Sequence, residues 1–390
     1  MIAKSRFSSV LAGLLGLALL ALSTLQAAAQ LFETKAATAF MIDAETGTVL
    51  FAKQADKPIQ PASLAKLMTL EMAFSAVKSG RMTLDDTFVV SENAWRKGGA
   101  PSGTSTMFAA LKSSIRLEDL MKGIAVQAAN DGCIIIAEGF SGSEANFAQQ
   151  MNERARQIGM PISTFVNATG LPAEGQKTTV REMTQLASRL AREYPQFYPY
   201  LALKDFTWNK ITQRNRNPLL AMDIGADGFA VGASEQDGFA IVGTLNQGGK
   251  RVIAAMSGLA NDRERSEEAR KLLEWGLRSF EKTEIFAKEE VIGEASVFGG
   301  AKSSVQLKAK GAVDLLLPIA NRDKVTARII YNGPLPAPVE AGQPVGTLRV
   351  WIGDTMSQET PVFAAETVEV GSLPRRAADA VKELAIGWLR

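Results

Sequence analysis

The chain has 390 residues, enough for more than one domain, and its charges nearly balance at 43 Lys and Arg against 41 Asp and Glu. Because a basic excess is absent, we expect no nucleic-acid partner. The chain contains no histidine and a single cysteine, Cys133. This composition excludes a Ser-His-Asp triad, an internal disulfide and a metal site built on histidine or cysteine, so we expect neither metal nor cofactor.

The N-terminal segment has the pattern of a secretory signal peptide. Lys4 and Arg6 precede an uninterrupted run of apolar and glycine residues over 10–22, and small residues at 27–29 suit cleavage. The run is shorter than the roughly 20 residues that span a membrane. We therefore predict a cleaved signal over residues 1–29 and export to the periplasm, with an uncleaved anchor as the alternative.

The next part of the chain mixes strand and helix patterns. Two short apolar runs flank Glu45-Thr46-Gly47 and predict a β-hairpin over residues 37–52. Apolar residues at helical spacing predict helices over residues 64–77, 117–127, 130–137, 143–159, 180–193 and 262–280. Apolar runs predict successive strands over residues 229–230, 240–244 and 251–257.

Past residue 284 the pattern changes to short strands separated by glycine and proline turns. The predicted strands cover residues 305–307, 313–317, 325–331 and 347–351. We therefore predict a separate, small β domain over residues 284–372. A terminal helix over residues 373–390 carries Val381 and Trp388 on its apolar side. This helix suits either peripheral contact with a membrane surface or ordinary packing on the domain.

A serine and a lysine stand three residues apart at the start of the first predicted helix. Because residues i and i+3 share a helix face, the Ser63 hydroxyl and the Lys66 amine can meet without help from the rest of the fold. A desolvated lysine loses its proton readily and can act as a base for serine. The spacing recurs at Ser75 and Ser279, but only Ser63 follows a nearby proline, Pro61, and precedes a long helical pattern. Ser63 is the candidate nucleophile and Lys66 its general base.

Longer stretches resemble a known family. The segment Pro61-Ala-Ser-Leu-Ala-Lys-Leu-Met-Thr69 resembles, nearly letter for letter, the nucleophile helix of the D-alanyl-D-alanine carboxypeptidases, the low-molecular-mass penicillin-binding proteins. The similarity continues through residues 41–50, 96–103, 167–171 and 215–219. It implies an α/β (α+β) fold with a β-lactamase/transpeptidase-like domain over residues 30–283. In that domain a mostly antiparallel sheet packs against helices, and the β domain follows.

The resemblance also implies a function. Members of this family remove the terminal D-alanine from peptidoglycan stem peptides through an acyl-serine intermediate, here on Ser63. The peptidoglycan stem peptide is then the expected partner, and β-lactams are expected ligands. In the family's second motif, Ser-x-Asn, the serine relays protons. Residues 126–131 match its context; Asn130 is retained, but Ala128 stands at the serine position.

The third family motif, a Lys-Thr-Gly strand that binds the substrate's carboxylate, is altered too. In the matching segment Ala230 stands at the Lys position and Val231 at the Thr position. Gly232 is retained, and Ser234 can supply the hydroxyl that the family places two residues further on. Candidates for the missing cation are Arg96, Lys97 and Arg251.

Three functions remain open. The retained Ser63 and Lys66 favour an active carboxypeptidase in cell-wall remodelling. Ala128 and Ala230 favour a catalytically impaired relative that binds or scaffolds peptidoglycan. The third function is an acyl-serine hydrolase or β-lactamase with altered specificity, although the missing strand lysine disfavours anionic β-lactams as good substrates.

Overall fold

The computed structural model describes residues 32–320 and 325–386, and of residues 382–386 only the backbone. The expected signal segment, residues 1–29, lies outside the described residues, as do the last four residues of the expected terminal helix. The chain divides into two units, Met1–Lys35 and Ala36–Arg390. Only residues 32–35 of the first unit are described, so the fold below is that of the second.

A five-stranded antiparallel sheet forms the centre of the first part of the chain. The strands before residue 260 are β1 (Thr38–Asp43), β2 (Val49–Lys53), β3 (Thr87–Val89), β4 (Ser114–Arg116), β5 (Asp205–Trp208), β6 (Ile211–Arg214), β7 (Ala226–Ser234), β8 (Gly238–Gln247) and β9 (Lys250–Leu259). The central sheet has the order β2-β1-β9-β8-β7, and β3–β4 and β5–β6 form separate two-stranded pairs. The predicted hairpin is confirmed as β1 and β2.

Helices cover the central sheet, and the first of them is enclosed by four of the others. They are α1 (Lys66–Lys78), α2 (Glu92–Gly98), α3 (Leu117–Gln127), α4 (Asn130–Ser141), α5 (Glu144–Gln157), α6 (Val180–Glu193) and α7 (Asp262–Arg278). Helix α6 packs against β1 and β9, and α7 packs against β8 and β9. Helix α1 contacts α3, α4, α5 and α6, and ten of its 13 residues are buried. A helix that is buried nearly all round is fixed in place by its neighbours, so its N-terminal residues have a fixed position.

The rest of the chain forms the expected C-terminal β domain. Its strands are β10 (Phe280–Phe286), β11 (Gly293–Phe298), β12 (Ser304–Lys308), β13 (Val313–Pro318), β14 (Val325–Tyr331), β15 (Leu335–Pro336), β16 (Pro344–Ile352) and β17 (Thr355–Ala364). Strand β10 pairs with β13, and the other six form one sheet over a core of their own. The domain boundary expected between residues 283 and 284 falls inside β10. The Ser357 hydroxyl donates to the Val49 carbonyl over 3.1 Å and links β17 to β2.

The terminal helix α8 (Leu373–Ile386) touches the β domain through a polar contact. The Asp379 carboxylate accepts a hydrogen bond from the backbone N–H of Gly299 over 2.9 Å. Leu373 and Val381, in contrast, are 77% and 67% exposed. Within residues 32–320 and 325–386, no helix has both the length and the apolar character that crossing a membrane requires.

A buried carboxylate fixes the segment that precedes β4. Asp131, the second residue of α4, is fully buried. It accepts hydrogen bonds from the Thr106 hydroxyl over 2.6 Å and from the backbone N–H groups of Met107 and Ala109, each over 3.0 Å. Since each of these bonds has a charged acceptor, together they hold residues 106–109 rigidly against the start of α4.

Replacing this carboxylate should destabilise the protein. Asp131→Asn directs an amide N–H₂ toward groups that are themselves donors, and we expect it to lower the free energy of unfolding by about 3 kcal/mol. Urea unfolding followed by circular dichroism measures the loss. The control is Asp56→Asn, which breaks the exposed Asp56–Arg181 pair and should cost less than about 1 kcal/mol. Equal losses in the two variants would contradict the role assigned to Asp131.

Candidate active site

Ser63 lies on the turn that leads into α1. It belongs to a short 3₁₀ helix, Ala62–Ala65, and Lys66 follows as the first residue of α1. The Lys66 Nζ donates to the Ser63 Oγ over 3.1 Å and to the Thr169 carbonyl oxygen over 2.5 Å. The candidate base and the candidate nucleophile are therefore already in hydrogen-bond contact.

The Lys66 amine is withdrawn from water. The residue is 3% exposed, and burial lowers the pKa of its side chain from 10.5 to about 8. A Cys133 thiolate would act in the opposite direction, and the Arg216 cation lowers the pKa further. An amine with a pKa near 8 is partly neutral at neutral pH, so it can accept a proton from the Ser63 hydroxyl.

A glycine lets a second loop approach the backbone of the 3₁₀ turn that carries Ser63. Gly170 has a φ of +74°, and a Cβ placed there would lie 1.7 Å from the Ala62 carbonyl oxygen. The loop is shaped by the Asn167 side chain, which accepts hydrogen bonds from the backbone N–H groups of Thr169 and Gly170. This arrangement directs the Thr169 carbonyl at Lys66. The resemblance in residues 167–171 marked this segment, but the sequence did not reveal its role.

The structure brings the altered second motif to the edge of the same site. Ala128 ends α3 in a left-handed conformation, with φ +54°, and lines a cleft together with Ser63. Asn130, 3% exposed, donates from its Nδ2 to the Thr104 hydroxyl over 2.9 Å. Its Oδ1 is buried and has no hydrogen-bond partner in the described part of the chain. The Nδ2 bond ties Asn130 to Thr104, which precedes the cleft residue Ser105.

The segment expected to correspond to the family's third motif runs along β7 beside Ser63. A Cβ at Gly232 would lie 3.2 Å from the Ser63 backbone nitrogen, so strand and nucleophile turn are in close contact. Ala230 lines a narrow inner pocket together with Ser63 and Lys66. Ser234 is the last residue of β7, and its Oγ accepts from the Asp237 N–H over 3.0 Å. Ser234 lines a neighbouring cavity together with Ala62 and Gly170.

The cations that the sequence suggested as replacements lie elsewhere. Arg96 pairs with Glu92 at the surface, and Lys97 approaches Glu144. Arg251 makes two 2.7 Å bonds to the Asp227 carboxylate. None of the three lines the cleft around Ser63, because each is held by a carboxylate outside it.

Other arginines line that cleft instead. They are Arg214, Arg216 and Arg265. Arg265 is nearly buried and pairs with Asp262 over 2.6 Å. Arg216 is exposed, lines both the inner pocket and the outer cleft, and has no acidic partner within the described residues. Arg216 lies in the segment 215–219 that resembled the family, so the sequence did contain a signal for it. As for metals, residues 32–320 and 325–386 hold no group of three or more acidic or cysteine side chains able to bind one.

The sequence matches two protein-family profiles. Residues 24–260 match the family described as D-alanyl-D-alanine carboxypeptidase, and residues 280–370 match the C-terminal domain of penicillin-binding protein 5. The chain is 34% identical over 386 residues to D-alanyl-D-alanine carboxypeptidase DacC of Escherichia coli, which covers 97% of this chain and 96% of that one. It is 32% identical over 314 residues to DacA of Haemophilus influenzae, with 80% and 79% covered.

Solved structures share the fold. Penicillin-binding protein 5 from Haemophilus influenzae superposes with a TM-score of 0.72 at 30% identity, covering 87% of this chain and 98% of that one. Penicillin-binding protein 6B from Escherichia coli gives a TM-score of 0.67 at 28% identity, with 86% and 97% covered. The expected fold, an antiparallel sheet packed by helices and followed by a β domain, is confirmed.

The lowered pKa of Lys66 can be measured directly. In protein labelled with [¹³Cε]lysine, one resonance should titrate with a midpoint near pH 8, since burial disfavours the ammonium form. Below that pH the side chain is an ammonium, and above it a neutral amine. The Lys66→Arg variant, which lacks the label at this position, identifies the resonance by its absence. A midpoint above pH 10 for that resonance would contradict the desolvated amine.

Proposed function

Because the chain belongs to the D-alanyl-D-alanine carboxypeptidase family, we propose that it is a serine-type carboxypeptidase that removes the terminal D-alanine from peptidoglycan stem peptides. The observation that carries the proposal is the 3.1 Å contact between the Ser63 hydroxyl and the buried Lys66 amine. Few other arrangements make a serine nucleophilic without histidine. The proposed role of the protein is remodelling of the cell wall.

The proposed reaction has two halves. In the first, the neutral Lys66 amine takes the Ser63 proton as Oγ attacks the carbonyl carbon of the penultimate D-alanine. The oxyanion faces backbone N–H groups of Ser63 and of β7 near Gly232, which lie side by side. The C–N bond then breaks, the D-alanine nitrogen leaves with a proton, and the peptide remains as an ester on Ser63. In the second half, water attacks that ester and restores the serine.

Arg216 is the proposed partner of the substrate's terminal carboxylate. The family uses the strand lysine for this contact, and Ala230 cannot provide it. Arg216 lines both cavities that contain Ser63, and in the described residues no carboxylate neutralises it. An exposed arginine can form a bidentate pair with a carboxylate, which a substrate ending in D-alanine offers.

A second candidate is a family member that binds stem peptides but turns them over poorly. Ala128 and Ala230 favour it, because they remove a proton relay and a cation that the family motifs supply. A lost acid–base group costs on the order of 10²–10⁴ in rate. This candidate predicts acylation of Ser63 without appreciable release of D-alanine.

A covalent adduct at Ser63 tests the nucleophile. Incubation with a fluorescent penicillin should give one adduct by intact mass, and peptide mapping should place it on Ser63. Ser63→Ala should abolish it, whereas Ser75→Ala, which alters another Ser-x-x-Lys pair, should leave it unchanged. An adduct that persists in Ser63→Ala would refute the assignment. D-Alanine release from a stem-peptide analogue then separates the two candidates.

If Arg216 binds the substrate's carboxylate, removing its side chain should slow acylation, and a lysine at position 230 should restore the rate. Arg216→Ala should slow penicillin acylation about tenfold to a hundredfold, because a hydrogen bond to a charged group contributes about 1.5–3 kcal/mol. Adding Ala230→Lys to that variant should recover most of the rate. Arg96→Ala, whose side chain pairs with Glu92 outside the cleft, is the control. If Arg216→Ala behaves like Arg96→Ala, the carboxylate binds elsewhere.

Export and a peripheral membrane contact complete the proposal. The signal pattern supports export, and the exposed Leu373 and Val381 with the exposed Arg375 and Arg376 support contact of α8 with anionic lipid. Each cation near such a surface contributes about 1 kcal/mol. Co-sedimentation with anionic vesicles should show weak, salt-sensitive binding of the mature chain that a chain ending at Ser372 lacks. Equal binding of both would rule out this role for α8.

A further inference from the structure

The altered second motif leaves the reaction without an evident proton donor for the leaving group. When the C–N bond breaks, the departing D-alanine nitrogen must gain a proton, and the proton that Lys66 took from Ser63 must reach it. In the family a serine at the position of Ala128 provides that path. A methyl group cannot transfer a proton, so another group must act if the enzyme is active.

Three residues that line the outer cleft carry hydroxyl groups: Ser63, Ser105 and Ser266. Ser63 is the nucleophile. The Ser266 hydroxyl donates to the Asp262 carbonyl over 2.7 Å, so it is engaged within α7. The Ser105 hydroxyl has no hydrogen-bond partner in the described part of the chain, and its residue is half-buried. It is therefore the hydroxyl in this cleft that is free to exchange a proton with a bound substrate.

The backbone of Ser105 is joined to the second motif itself. Its carbonyl oxygen accepts from the Asn130 backbone N–H over 2.8 Å, two residues beyond Ala128. On one side of it, the Thr104 hydroxyl accepts from the Asn130 side chain. On the other side, Thr106 donates to the buried Asp131 carboxylate and accepts at its carbonyl from the Gln213 amide over 3.1 Å. Ser105 is thus held in place by bonds on both flanks, and only its side-chain rotamer is free.

We propose that Ser105 replaces the missing second-motif serine as the hydroxyl that contacts the leaving nitrogen; this inference rests on the proposed acylation of Ser63. As the C–N bond breaks, the Ser105 hydroxyl gives its proton to the D-alanine nitrogen and receives the proton that Lys66 took from Ser63. In deacylation the direction reverses. Water loses a proton toward Lys66, which returns it to the Ser63 oxygen as the ester bond breaks. Protons and electron pairs balance in both halves, and no further reactant is needed.

Ser105→Ala tests the proposal, with Ser266→Ala as the matched control from the same cleft. Ser105→Ala should lower the rate of D-alanine release from a stem-peptide analogue about a hundredfold, the usual scale for an acid–base group. Its KM and melting temperature should change little. Ser266→Ala should leave the rate within about twofold. A Ser105→Thr variant, which keeps a hydroxyl, should retain more activity than Ser105→Ala.

Returning the family serine supplies a rescue that a purely structural role would not give. Adding Ala128→Ser to Ser105→Ala should restore most of the lost rate, because a hydroxyl again reaches the leaving nitrogen. If Ser105→Ala matches Ser266→Ala, or if Ala128→Ser fails to rescue it, the inference is wrong while the proposed function stands. If the parent chain forms no penicillin adduct on Ser63, the proposed function fails and this inference fails with it.

Discussion

The site depends on the close contact of three backbone segments around one turn. The 3₁₀ turn that carries Ser63 lies between the loop at Gly170 and the strand at Gly232. A side chain would clash with the turn at Gly170 and would be tightly packed against it at Gly232. On its far side the turn continues into α1, which is buried nearly all round. Because both contacts involve backbone and α1 is itself buried, the position of Ser63 is set by packing. The Thr169 carbonyl then reaches Lys66 only because Gly170 lets its loop approach.

Much of this arrangement could be predicted from the sequence, since the strongest signals are local. The Ser63–Lys66 pair lies within a single helical turn, and its contact follows from helix geometry. The helices over Leu117–Gln127 and Val180–Glu193 have the predicted bounds, because their apolar periodicity is strong. The predicted end of the first helix, at residue 77, falls one residue before the observed end of α1 at Lys78, and Gly80 follows with φ +73°.

The remaining features of the fold and the site depend on contacts between residues that are distant in sequence, so they could not be predicted from the sequence alone. The short β5–β6 pair was missed because its residues are largely exposed and carry little apolar alternation. Helix α2 was missed as well, although Ser91 caps it by accepting from the Ala94 N–H. In the sequence Arg251 was a reasonable candidate for the missing cation, but in the structure it forms an ion pair with Asp227. Which arginine faces a cleft depends on tertiary packing, and one sequence does not reveal it.

The buried lysine also affects the stability of the fold. Burial lowers its pKa from 10.5 to about 8, so the folded protein binds that proton less tightly than the unfolded chain does. Stability should therefore rise with pH between those two values, and at neutral pH the fold bears the full cost of the buried amine. An apolar residue of similar length, such as methionine, would avoid that cost. Folding alone gives no reason for an amine at this position, whereas the proposed acyl transfer at Ser63 does.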